Sequence, residues 1–99
     1  MKPVRLRARA QRELRDAVDW YRERSPDVAE RFAAEVREAL QHLERFPRSG
    51  AFVPGANDPE VRRLPIHNFP YHIVFIRLGT HISVLAIAHD RRRPGYWNA

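Results

Sequence analysis

The sequence predicts an α+β fold in the order β-α-α-β-β-β, a helical hairpin packed on a small, mostly antiparallel sheet. Three observations carry this. Apolar and basic residues alternate near the N-terminus with the period of a strand. Two central stretches repeat with the period of a helix. Two runs rich in Ile, Val and Phe near the C-terminus are joined by Gly79-Thr80.

Val4, Leu6 and Ala8 alternate with Arg5, Arg7 and Arg9, which gives a short strand with one apolar and one basic face. A helix follows, because Leu14, Ala17, Val18 and Tyr21 fall at i, i+3, i+4 and i+7, with Ala10 one turn earlier and Trp20 at the flank. Ser25-Pro26-Asp27 interrupts the pattern. Ser25 suits the cap of a second helix, Pro26 its first turn, and Asp27 its N-terminal dipole. That second helix carries an apolar stripe of Ala29, Phe32, Ala33, Val36, Leu40 and Leu43, and it ends at Pro47. Asp27 and Arg31 are spaced for an i,i+4 ion pair. So short a connection makes the two helices an antiparallel hairpin.

Residues 47–60 hold three of the eight prolines and two of the four glycines and read as a long loop, with Phe52 and Val53 pinning its middle to the body. Residues 61–67 form a strand in which Pro65 demands an edge position or a bulge. Residues 71–78 and 81–89 form a hairpin. The stretch Ile82–Ala88 is apolar on both faces, as a central strand should be. Two helices cover one face of a small sheet, so the loop, the C-terminal tail or another protein must meet the other. No repeat and no second domain interrupt residues 1–99.

Composition narrows the functional classes. Without cysteine there is no disulfide framework, thiolate metal site or cysteine nucleophile. No apolar run approaches the roughly 18 residues of a membrane span. The N-terminus lacks the apolar stretch of a secretory signal, which points to the cytoplasm. The net charge is +6, and seventeen of the eighteen basic residues are arginine. Residues 2–15 carry six basic side chains against Glu13 alone, residues 16–48 carry six against eight acidic, and Arg91, Arg92 and Arg93 are consecutive. The excess sits at the two ends of the chain, a distribution suited to nucleic acid or an acidic protein as partner.

No P-loop, GxGxxG, GxSxG, HExxH or EF-hand pattern is present, and the five histidines lack metal-binding spacing. One constellation remains: Arg62 and Arg63 at the start of a strand, His72 early in the next, and His89 running into Asp90, Arg91, Arg92, Arg93, Tyr96 and Trp97. Arg, His and Tyr together suit phosphate binding. They also suit metal-free RNA cleavage, in which a base takes the 2′-OH proton, an arginine stabilises the phosphorane and an acid protonates the leaving oxygen. In structural roles, His89 would order the tail, Asp90 would pair with an arginine, and Tyr96 and Trp97 would pack the tail on the sheet.

The ordered set resembles the RelE/ParE toxin superfamily of bacterial type II toxin–antitoxin systems. It comprises Trp20-Tyr21, the stripe from Ala29 to Leu43, Pro47 with Gly50, Arg62-Arg63-Leu64, Phe69 to Phe75, and Ala86 to His89 with Arg92, Pro94, Tyr96 and Trp97. It is similar to the ParE-like, "plasmid stabilisation" branch over residues 3–97. The resemblance implies a growth-arresting toxin without cofactor or metal. Its partner would be a cognate antitoxin whose acidic C-terminal segment wraps it, in a hetero-oligomer, while an N-terminal domain binds operator DNA. ParE-type members poison DNA gyrase and have no nuclease set. RelE-type members cleave mRNA on the ribosome. His72 stands where RelE-type sequences tend to carry arginine, although Arg91 and Trp97 fall near the RelE-type arginine and tyrosine of the tail. The lysine-rich stretch of many RelE-type nucleases is missing. Gyrase inhibition, with no enzymatic activity of the chain's own, is therefore the favoured expectation, with target contacts at Arg91, Arg92, Arg93, Tyr96 and Trp97. The alternative, a metal-free endoribonuclease, would use Arg62, His72, His89, Arg91 and Tyr96.

Overall fold

A computed structural model describes residues 2–98. Strand β1 (Val4–Leu6) leads into helices α1 (Ala8–Arg24) and α2 (Pro26–Arg45), followed by β2 (Ala51–Phe52), β3 (Arg62–Pro65), β4 (Tyr71–Arg77) and β5 (Ile82–His89). The five strands form one sheet in the order β1-β5-β4-β3-β2. Only β1 runs parallel to its neighbour, with Val4 opposite Ile82; the other pairings are antiparallel.

The hairpin is tighter than expected, because Ser25 alone separates the helices. Its N–H donates to the Tyr21 carbonyl at 2.7 Å and closes α1, while its side chain accepts from the Val28 N–H and opens α2. Pro26 occupies the first turn of α2, where a missing N–H costs nothing. Phe32, Val36 and Leu43 bury the α2 stripe against Ile73, Phe75, Ile82, Val84 and Ile87 of the sheet. Tyr21, Phe32, Phe69 and Tyr71 add a cluster of aromatic contacts, with the Phe32 ring 5.1 Å from those of Phe69, Tyr71 and Tyr21.

Several expectations are corrected. Ala8 begins α1 instead of extending β1, because the Arg7 N–H bonds the Val84 carbonyl and its own carbonyl already accepts from Gln11. Asp27 and Arg31 do not form an ion pair; the ion pairs between acidic and basic side chains among the described residues are Arg22–Asp19, Arg24–Glu23 and His72–Asp90. The loop over 47–60 contains the two-residue strand β2, whose residues pair with Arg63 and Arg62. Val53 does pack on the body, but Phe52 is exposed and carries the Arg62 guanidinium 4.2 Å above its ring. Strand β3 is therefore not the edge, yet Pro65 lies beyond the end of β2 and has only β4 beside it, so its missing N–H is tolerated.

A bulge explains why β5 reads as apolar on both faces. Val84 opposes Phe75 and Ala86 opposes Val74, so Leu85 is an extra residue. Before it, Ile82 and Val84 face the helices; after it, Ile87 does, and Ala86 and Ala88 turn to the opposite face. That second face is covered by the chain itself. Val74, Ile76, Ala86 and Ala88 lie beneath Val53 and Ala56 of the loop and Tyr96 and Trp97 of the tail.

Candidate functional site

The tail is held by a carboxylate from α1. Strand β1 ends at Leu6 and pairs with β5 only as far as Val84, which leaves the outer flank of β5 open beyond that point. Glu13, one turn into α1, fills the gap: its Oε1 accepts from the Ile87 N–H at 3.0 Å, and its Oε2 accepts from the Tyr96 hydroxyl. A buried backbone N–H is thereby satisfied and the tail is tied down by the same side chain. Burial pushes the Tyr96 phenol well above its ordinary value, and the hydrogen bond and charge of Glu13 push it further; Arg92 and Arg9 oppose this in part. The Arg92 guanidinium sits 4.0 Å from the Tyr96 ring centroid and that of Arg9 5.8 Å, so the basic residues at the two ends of the chain meet around one tyrosine.

His72 is 6% exposed and faces the tail side of the sheet. Its Nδ1–H donates to Asp90 Oδ1 at 2.8 Å, which corrects the expectation that Asp90 pairs with an arginine. A cavity of about 270 Å³ opens beside this pair. Arg63, His72, Asp90, Arg92 and Trp97 supply its polar groups, with Val53 and Pro54 among its apolar walls. The Trp97 indole N–H is buried and has no hydrogen-bond partner among the described residues.

The constellation expected from the sequence is thus divided. Arg63, His72, Arg92, Tyr96 and Trp97 converge on the tail side. His89 stands apart from Arg63, His72 and Trp97 and shares a cleft with Arg92 and Tyr96 instead. It pairs in register with Tyr71, one residue from the His72–Ala88 pair, and neighbouring positions on a strand face opposite ways. Its ring packs 5.0 Å from that of Tyr71, and its Nδ1 accepts from the Arg91 N–H at 3.1 Å, which orders the turn into the tail. It lines a second cleft, of about 590 Å³, bounded by Asp16, Ala17 and Trp20 of α1. Arg62 is drawn away to the Arg48 carbonyl and the Phe52 ring. Arg91 and Arg93 are exposed on the tail. Glu13 and Arg9 are contributors that the sequence reading missed. Their signal was the single acid among the basic residues of the N-terminus.

The model of the ParE toxin of type II toxin–antitoxin system parDE matches residues 4–94. The chain belongs to the ParE toxin family. It is thus of the toxin type in a two-component system, with a cognate antitoxin as partner. Among solved structures, a chain of the chromosomal ParDE TA system from P. aeruginosa is similar in fold, with a TM-score of 0.75 and 24% identity over 90% of this chain and 96% of that one. Among curated proteins there is no match. No helix among the described residues of this ParE-family chain is long and apolar enough to cross a membrane.

Proposed function

We propose that this ParE-family toxin arrests growth by inhibiting DNA gyrase in the cytoplasm, and that the acidic C-terminal segment of its antitoxin neutralises it in a hetero-oligomer. The observation that carries this reading is the division of the acid–base candidates between the two sides of the sheet. RNA cleavage needs a base and an acid within reach of one phosphodiester. His72 and His89 face opposite ways, and the Tyr96 hydroxyl is committed to Glu13 with its proton held more tightly than in a free phenol. The exposed Arg91 and Arg93, beside Arg92 on the anchored tail, suit a binding role. A net charge of +6 suits an acidic partner that folds on binding.

One observation favours the alternative, ribosome-dependent mRNA cleavage. Arg63, His72, Asp90 and Arg92 share one cavity, where His72 has the orientation by a carboxylate that a general base needs. The two readings separate in paired assays on the same protein: supercoiling by gyrase, and cleavage of mRNA on stalled ribosomes. Gyrase inhibition predicts loss of supercoiling, accumulation of cleaved DNA, and graded weakening as Arg91, Arg92 and Arg93 are neutralised in turn. Full gyrase activity alongside codon-positioned mRNA cuts, lost about a hundredfold in His72→Ala, would replace the reading with the alternative.

A further inference from the structure

We propose that the cavity beneath the tail is a seat for a backbone phosphate of duplex DNA. The inference rests on the gyrase reading only in naming DNA as the source of the phosphate; the cavity itself supplies the rest.

Its donor set is that of an oxyanion site. Two guanidiniums, Arg63 and Arg92, border it against one carboxylate, Asp90, and that carboxylate already accepts from the His72 imidazole. Guanidinium groups meet phosphate oxygens through paired N–H donors. The Trp97 N–H adds a third kind of donor. It is buried, it belongs to a residue lining the cavity, and no acceptor among the described residues meets it. Native proteins leave few buried donors unpaired, and those that persist need an explanation. A phosphate oxygen would supply the missing acceptor once the tail adjusts around the filled cavity and uncovers this N–H. Val53, Pro54 and Pro94 form an apolar wall that suits the sugar attached to the phosphate.

The surroundings extend the same charge. Arg9 and Arg92 flank the Tyr96 ring, and Arg91 and Arg93 stand exposed on the tail that closes the cavity. A regular phosphate backbone offers charges for the outer arginines while one phosphate occupies the seat. Asp90 keeps its place there through His72, and its remaining charge is outweighed by the two guanidiniums.

The test uses the full chain with Trp20→Phe, which leaves Trp97 as the sole tryptophan and a direct reporter of the cavity. Inorganic phosphate and a short DNA duplex are titrated separately and then in competition, with no gyrase present. Both should change Trp97 emission saturably, and phosphate should displace the duplex where acetate does not. Arg63→Gln and Arg92→Gln should each weaken duplex binding about tenfold and lower the salt slope by about one. In the parent chain, Trp97→Phe should weaken duplex binding several-fold, followed by the anisotropy of a labelled duplex, while circular dichroism stays unchanged. Arg37→Gln on α2, away from the tail, should have a much smaller effect. The proposal is overturned if Arg37→Gln matches Arg92→Gln, if phosphate leaves Trp97 emission unchanged, or if single-stranded RNA of equal length binds more tightly. Because binding is read without gyrase, a toxin that seats DNA but leaves supercoiling intact would sink the gyrase reading alone. One that blocks gyrase but seats no phosphate would sink this proposal alone.

Discussion

On one face of the sheet, Ile73, Phe75 and Ile87 lie beneath Phe32 and Leu43 of the helical hairpin; on the other, Val74, Ala86 and Ala88 lie beneath a loop and a tail. The helix side has large side chains and continuous secondary structure above them. The tail side has small side chains, and its cover is secured by individual polar contacts: Tyr96 to Glu13, His72 to Asp90, and Asn98 to the Asn57 N–H. Apolar burial scales with area, so most of the stability from burial resides on the helix side. The tail side gives up packing for exposed arginines and a cavity. Binding residues tend to lie on loops carried by a rigid scaffold, and the proposed target contacts sit on the loop-and-tail side of this sheet.

Four measurements sharpen or break that contrast. The largest effect is expected from Phe32→Ala, which empties the centre of the helix side. The loss should be about 3–5 kcal/mol, a large share of the stability of an ordinary domain, read from chemical denaturation. A loss below about 1 kcal/mol would mean that the helix side is not the main source of stability. Gly50→Ala comes next. Gly50 has φ +86°, and a Cβ there would lie 2.5 Å from the Arg63 carbonyl oxygen. Left-handed strain and the clash together should cost about 2–3 kcal/mol, enough to detach β2 from β3.

Tyr96→Phe should cost about 2 kcal/mol, the range for a hydrogen bond to a charged group. Unlike Phe32→Ala, its effect should be local: faster amide exchange over residues 91–98 with little change in α2. Equal acceleration in both regions would show that the two covers unfold as one. The same variant has a pH signature. The Tyr96 phenol is raised from 10.0 in the folded chain, chiefly by burial, so folding favours its protonated form. The stabilisation is therefore complete below about pH 10 and is lost as pH rises through the folded value. Tyr21 and Tyr71, also raised by burial, act in the same direction. Thermal melts from neutral pH upward should show stability falling above about pH 10, and a shallower fall in Tyr96→Phe. The smallest effect belongs to Arg22→Ala. Its partner Asp19 is half exposed, so the change should stay within about 0.5 kcal/mol.

How far each region was legible in the sequence follows the same division. The helices were plain because periodicity, a capping serine and a first-turn proline agree, and Ser25 and Pro26 do what their chemistry suggests. The tail side was not. Strand β2 is two residues long and sits among prolines and glycines, below what alternation can reveal. The Leu85 bulge shifts the parity of β5, so no count from Ile82 predicts that His89 ends on the helix side. His72 and Asp90 meet across 18 positions, and Glu13 and Tyr96 across 83, distances over which a sequence pattern carries no signal.

The pairing of β1 with β5 has a consequence for synthesis. Strand β1 leaves the ribosome well before its neighbour β5, with Val4 opposite Ile82, and Glu13 waits for Tyr96. At translation rates of about 5–20 residues per second, the N-terminal strand spends several seconds without its neighbour. The helical hairpin can form in that interval, but the sheet cannot close and Glu13 has no tyrosine to hold. The tail side of the sheet is thus assembled only after β5 and the arginine-bearing segment that follows it have been translated, well after the helical hairpin.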